Sequence, residues 1–186
     1  MKNWALPLLI ALVAIAVAAE RTEPNTQTGE KKTANAPFAV TPVGRIEKEG
    51  RRTFIRLDAR HQDGLLGLEE LSHIWVCYWF DRNDTPEKRA VLRVHPRGNR
   101  ENPLTGVFAT RSPMRPNLIA LSLCRVVSIQ GTDIEIESID AFDQTPVIDL
   151  KPYTPGNDRP QGKVRVPKWA GPPSGRQESG AKPTRK

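Results

Sequence analysis

Arg111 and Arg115 stand four residues apart in the segment Gly106-Val-Phe-Ala-Thr-Arg-Ser-Pro-Met-Arg-Pro-Asn-Leu-Ile-Ala-Leu-Ser122. Pro113 and Pro116 lie beside them, and Asn117 follows. Proline fixes φ and removes an N–H, so such a loop is stiff and cannot extend a β-ladder. Two guanidinium groups on a stiff loop suit the gripping of an anion or of a flat polar ligand. Arginines in a proline-rich turn also occur as solvated groups or as partners of acids in their own chain, so the chemistry depends on what the rest of the chain places near them.

Other chemistries find little support in the spacing. Cys77 and Cys124 have no CxxC arrangement, and His61, His73 and His95 are scattered, so no metal-ligand pattern is present. In an oxidising compartment the two cysteines could pair; otherwise they are two buried thiols. No Ser/His/Asp arrangement or carboxylate pair stands out. A glycine fingerprint GxGxxG after a first strand is missing, which removes the common Rossmann route to a nucleoside cofactor.

The elements that must position the arginines read as strands. Asp133-Ile-Glu-Ile-Glu137 alternates, Thr53–Leu57 is a short mixed strand, and Leu118–Val127 is a longer strand-like run. His73–Phe80 is apolar on both faces, which fits a central or barrel strand. Leu65–Leu71, ending against Ser72, fits a short helical turn. Several short strands punctuated by Gly and Pro, with one helix-like segment, point to an all-β barrel or sandwich.

The arginine segment is one of several long blocks kept in order. Leu68-Glu-Glu-Leu-Ser-His-Ile-Trp-Val-Cys-Tyr-Trp-Phe80 and His95-Pro-Arg-Gly98 precede it, and Asp140-Ala-Phe-Asp-Gln-Thr-Pro-Val-Ile-Asp-Leu-Lys-Pro-Tyr153 follows. Over residues 38 to 155 the chain resembles the TrmO family of tRNA methyltransferases, whose blocks read approximately GxxxFSHIWVLYWF, HPRG, GVFATRSPxRPNPIGLS and LDGTPVLDIKPY. The resemblance implies a small β-barrel that binds S-adenosylmethionine, is usually a homodimer, and methylates N6 of threonylcarbamoyladenosine beside the tRNA anticodon. It implies cofactor contacts at Asp81, Arg82, Arg111, Leu121, Asp140, Ala141, Phe142 and Asp143, while Arg115 and Asn117, as polar positioning groups on the same stiff loop, are the candidates for the substrate. Methyl transfer from a sulfonium needs positioning more than acid–base machinery, so no catalytic side chain is assigned.

The chain departs from the family at several points. The family's Pro-Arg-Gln loop is missing, because only Glu47-Lys-Glu-Gly-Arg-Arg-Thr53 separates Ile46 from Phe54. RPNPIG has become Arg115-Pro-Asn-Leu-Ile-Ala120, and the Gly after the acidic turn has become Gln144. A Gln there is strained if φ is positive, or the turn differs. These changes favour, as the alternative, an exported barrel that binds another anionic or nucleoside-like ligand without catalysis.

Outside the barrel, residues 1–19 read as a secretory signal peptide. Lys2 precedes a run of about 16 apolar residues, short of the roughly 20 a membrane span needs, and Ala16-Val17-Ala18 has the small-x-small form of a cleavage site. Export is therefore expected, with membrane tethering as the weaker option. Residues 20–36 are polar and read as a disordered linker to a domain at 37–155. Residues 156–186 read as a Pro- and Gly-rich disordered tail. The net charge of +7 looks like a nucleic-acid footprint, but the stretch from Thr154 onward holds eight Lys and Arg against two acids, and Lys2 supplies one more base. The intervening span has 19 bases and 19 acids and is neutral. The tail is thus the part suited to an anionic envelope polymer, lipid or RNA.

Overall fold

Two Gly-x pairs close the hairpins that frame the fold. Gly50 and Gly131 open two-residue loops with φ of 59°, a conformation glycine adopts without steric cost and one whose twist matches that of the flanking strands. A computed structural model describes residues 38–171, so the expected signal peptide, the whole of the linker and the end of the tail lie outside the described residues.

The strands are β1 (Gly44–Glu49), β2 (Arg52–Leu57), β3 (His73–Trp79), β4 (Arg93–Val94), β5 (Thr105–Gly106), β6 (Ile119–Gln130), β7 (Asp133–Ile136) and β8 (Pro146–Pro152). Six of them close an antiparallel barrel in the order β1-β2-β7-β6-β3-β8, with β8 returning to β1. The all-β barrel read from the sequence is therefore the architecture found. Alternation fills its interior: Ile46, Ile55, Ile74, Val76, Ile134 and Val147 are fully buried. At the seam where β1 meets both β2 and β8, Gly44 has no room for a side chain, since a Cβ would run into the backbone carbonyl of Arg56.

The helical turn expected at Leu65–Leu71 is present as the 3-10 segment Leu68–Glu70, and a further 3-10 segment, Ala59–Leu65, precedes it. Cys77 and Cys124 are free thiols. Cys77 pairs in register with Leu121, and Cys124 with Ile74, three residues away along the ladder. Cys124 belongs to the inward set and is buried, while Cys77 lies on the opposite face, so the two cannot bond across the wall. Burial pushes the Cys124 thiol up to about 11.

The first residues of the segment read as a tail are tied to the barrel. Pro155–Asp158 form a short helix, and Asp158 accepts hydrogen bonds from the Trp75 indole at 3.1 Å and from the Thr154 N–H at 2.6 Å. Composition cannot reveal that one acid in a Pro- and Gly-rich stretch meets an outward-facing indole on β3.

Between β3 and β6 the chain leaves the barrel for the whole of residues 80–118. This excursion carries a 3-10 turn at Asp81–Asn83, the helix α1 (Pro86–Arg89), the β4–β5 hairpin and the proline-rich arginine loop. Thr85 caps α1 by accepting from the Lys88 N–H, with Pro86 at the first helical position. Val107 and Leu118 are buried and root the excursion in the fold.

Candidate functional site

Where β3 ends and β6 begins, Tyr78 pairs with Ala120 and Trp79 with Ile119. The excursion departs and returns at this point, and the turn between β7 and β8 covers a third side. Together they enclose a cavity of about 600 Å³. Residues from all three segments line it: Asp81 and Arg82 from the start of the excursion, Arg111 and Arg115 from its end, Leu121 from β6, and Asp140, Ala141 and Phe142 from the turn.

Each wall has its own tie. The Tyr78 hydroxyl donates to the Asp140 carbonyl at 2.8 Å and lies 3.3 Å from the Ser122 hydroxyl, joining β3, β6 and the turn. Burial raises the Tyr78 hydroxyl above its usual range, which keeps it a neutral donor. The Arg82 guanidinium lies 4.0 Å from the centre of the Phe142 ring and links the excursion to the turn. The arginine loop is tied to itself: Thr110 donates to the Val107 carbonyl at 3.0 Å, and the Thr110 hydroxyl accepts from the Ser112 N–H at 3.2 Å. Arg89 anchors the loop's far end by donating to the Pro116 carbonyl at 2.9 Å, while its Nε donates to Asp84 at 2.7 Å.

The two loop arginines contact carbonyls rather than acids. Arg111 donates to the Leu121 carbonyl at 3.4 Å, and Arg115 to the Thr110 and Ser112 carbonyls at 3.3 and 3.4 Å. Among the described residues none of Arg82, Arg111 and Arg115 forms an ion pair, so their charge is available to a ligand. Asp81 and Asp140 stand in the same lining, which makes the cavity dipolar rather than simply cationic.

Two residues expected at the site are not in its lining. Asp143 accepts the Lys48 N–H at 2.9 Å, and that bond holds its carboxyl below the usual range. It fastens the turn to β1 because the Gln144 N–H donates to the Ile46 carbonyl one step on, and this aims the preceding carboxylate at the strand. Asn117 falls between Pro116, whose carbonyl holds Arg89, and the fully buried Leu118, and so lies on the loop's root rather than its cavity face. Gln144 does have φ of 65°, so the glycine replaced there had a conformational reason. Ala120, by contrast, sits in regular β6 without positive φ and packs inward, so its replacement of glycine needs no adjustment.

Reading from sequence passed over Tyr78, Trp79, Phe80, Thr110 and Ser122, which also line the cavity. The usable signal was adjacency: each flanks or lies inside a block already singled out. Among the described residues no group of His, Cys, Asp and Glu could hold a metal ion.

A family model for the tRNA-methyltransferase O N-terminal domain matches residues 34–159. The chain belongs to the TrmO family. A probable S-adenosyl-L-methionine-binding protein of Pyrococcus horikoshii is 48% identical to this TrmO-family chain over 124 residues, which span 67% of this chain and 88% of that protein. A tRNA (adenine(37)-N6)-methyltransferase of Mus musculus is 41% identical over 100 residues, covering 54% of this chain but 22% of the mouse protein. The crystal structure of TrmO from Pseudomonas aeruginosa has a TM-score of 0.54 at 27% identity, covering 69% of this chain and 62% of that one. A further TrmO structure gives a TM-score of 0.56 at 30% identity, covering 74% and 66%. This TrmO domain thus spans most of its archaeal relative, under two thirds of the Pseudomonas chain and about a fifth of the mouse protein.

Proposed function

We propose that the domain binds S-adenosylmethionine in the cavity at the barrel mouth and transfers its methyl group to N6 of threonylcarbamoyladenosine beside the anticodon of tRNA. One observation carries this most: eight residues drawn from three separated blocks line one cavity of about 600 Å³, a size within the roughly 300–1,000 Å³ of small-molecule sites.

The lining suits the cofactor chemically. Its unpaired guanidinium groups suit a carboxylate, Asp81 and Asp140 suit an ammonium or sulfonium charge, and Phe142 and Trp79 offer aromatic surface to a purine. When bound, S-adenosylmethionine supplies a methyl group already activated on sulfur. The protein's task is then to hold the acceptor nitrogen in line and exclude water, which the tied walls of the cavity serve. Asp81 and Asp140 are the carboxylates in the lining suited to take the proton that N6 would lose as the methyl passes from sulfur to nitrogen, the thioether being the leaving group.

The β1–β2 connection is a two-residue turn, Gly50-Arg51, so the family's Pro-Arg-Gln loop has no counterpart. That supports the second reading, a barrel that keeps the cavity for another anionic or nucleoside-like ligand. Export through the leader at 1–19 and contact of the basic tail with an anionic envelope polymer or lipid belong to our proposal as well. So does a homodimer, supported by the exposed Ile119, Leu121, Leu123 and Val127 on the outer face of β6. The experiment is to incubate the full chain with methyl-labelled S-adenosylmethionine and threonylcarbamoylated tRNA, then to identify the labelled nucleoside.

A further inference from the structure

Although the span from Ala39 to Tyr153 is neutral, its charge is divided. The excursion Asp81–Leu118 holds eight Lys and Arg against four Asp and Glu, a net of +4. The rest of that span holds eight against twelve, a net of −4. Apart from Arg51 on the β1–β2 turn, the barrel's arginines are also neutralised locally. Arg52 donates to Glu135 at 2.9 and 2.8 Å, Arg56 is surrounded by Glu47, Glu49 and Asp133, and Arg125 lies 3.3 Å from Glu137. On the β4–β5 hairpin, Arg93, Arg97 and Arg100 are exposed, and among the described residues none has a carboxylate partner.

The hairpin holds one of these arginines against its conformational preference. Arg97 has φ of 59° and ψ of 18°, the left-handed region, which a residue with a side chain occupies at a cost. The loop around it is cross-braced. His95 Nδ1 donates to the Asn102 carbonyl at 2.8 Å, the Asn102 amide donates to the Pro96 carbonyl at 2.9 Å, and the Gly98 N–H donates to the His95 carbonyl at 3.0 Å. Pro96 is buried beneath it. Strain in a braced, solvent-facing loop is characteristic of a ligand clamp.

An aromatic group accompanies the charge. The Val107 N–H donates to the Leu92 carbonyl at 3.0 Å, closing the hairpin base, and the next residue, Phe108, is 79% exposed. Three residues later comes Arg111, in the cavity lining. Exposed arginines suit phosphate, and an exposed ring beside them suits an unstacked base, the combination used to recognise single-stranded RNA loops.

We propose that Leu92–Phe108 is an RNA-binding arm: Arg93, Arg97 and Arg100 hold backbone phosphates and Phe108 stacks an unpaired base next to the one entering the cavity. This rests on the reading of RNA as the substrate. It places RNA affinity in the domain rather than in the basic tail.

The test is fluorescence anisotropy of the full chain with a labelled tRNA between 50 and 200 mM salt, alongside calorimetric titration with S-adenosylmethionine. For Arg93→Gln/Arg97→Gln/Arg100→Gln the slope of log affinity against log salt is expected to fall by about 2, at about 0.7 per phosphate contact, with S-adenosylmethionine affinity unchanged. The corresponding triple lysine variant is expected to keep the slope. Phe108→Ala is expected to weaken tRNA binding about fivefold or more with the slope unchanged. A triple glutamine variant that still melts like the wild type and binds tRNA with its affinity and slope would overturn the arm while leaving the methyltransferase reading intact. A wild-type protein that binds S-adenosylmethionine but no tRNA would overturn both. Binding to anionic lipid vesicles instead of tRNA, lost in the triple glutamine variant, would overturn RNA as the occupant.

Discussion

Replacing Tyr78 by Phe tests how the cavity is held ready. The ring is 4% exposed and remains filled by phenylalanine, so the perturbation is the loss of one hydroxyl and its 2.8 Å bond to the Asp140 carbonyl. Asp140 is exposed, so its carbonyl can bind water instead, and the cost should be that of an ordinary hydrogen bond, about 1 kcal/mol. For a domain of this size that is a fall in Tm of about 3–5 °C. The turn Asp140–Phe142 then keeps its ties to Arg82 and β1 but loses the one to β3, and a ligand must restore that order at its own expense. The same 1 kcal/mol becomes about a fivefold rise in Kd for S-adenosylmethionine. Ser122→Ala, which removes only the longer 3.3 Å contact, should change both quantities less. Calorimetric titration and thermal melting read the two effects separately. A Tyr78→Phe protein with the expected melting shift but unaltered Kd would refute the link between this tie and the site.

Two further substitutions probe the fold. Gly44→Ala forces a methyl into the Arg56 carbonyl at a seam bonded on both sides, so a loss of about 3 kcal/mol is expected in urea unfolding. Gly64→Ala, with open space around it and no positive φ, is the control and should be near neutral. The carboxyls of Asp84, held by Arg89 and Trp79, and of Glu135, held by Arg52, sit below their ordinary values of 3.8 and 4.5. A lowered folded value means stability that is present above the ordinary value and lost as pH falls through the folded one. Stability should therefore decline as pH drops below about 4, and Asp84→Asn with Glu135→Gln should flatten that decline in pH-dependent urea titrations.

The all-β class was legible because its signals are local and redundant, alternation in Asp133–Glu137 and short runs punctuated by Gly and Pro, while the choice of a barrel came with the family resemblance carried by the long ordered blocks. Most of the cavity was legible through that resemblance, since Arg111, Leu121 and the 140–142 turn belong to those blocks. What escaped depends on three-dimensional register. The Cys77 and Cys124 pairing fails on a three-residue offset and opposite faces of one ladder, which spacing in sequence does not encode. Asp143 escapes the cavity because the strained Gln144 turn delivers its carboxylate to Lys48. The neutral sum over the domain concealed a positive excursion set on a negative barrel, because addition along the chain discards position. Asp158 meeting Trp75 is likewise a long-range contact with no local signature.

The most direct measurement is the transfer of labelled methyl from S-adenosylmethionine to threonylcarbamoylated tRNA by the full chain, with Arg111→Ala beside it. The expected result is label in N6-methyl-threonylcarbamoyladenosine, with the rate falling at least about tenfold in the variant, the loss of one charged hydrogen-bonding group at about 1.5–3 kcal/mol. Unlabelled tRNA from a folded protein that still binds an anionic or nucleoside ligand in this cavity would contradict the methyltransferase and leave the binding barrel in its place.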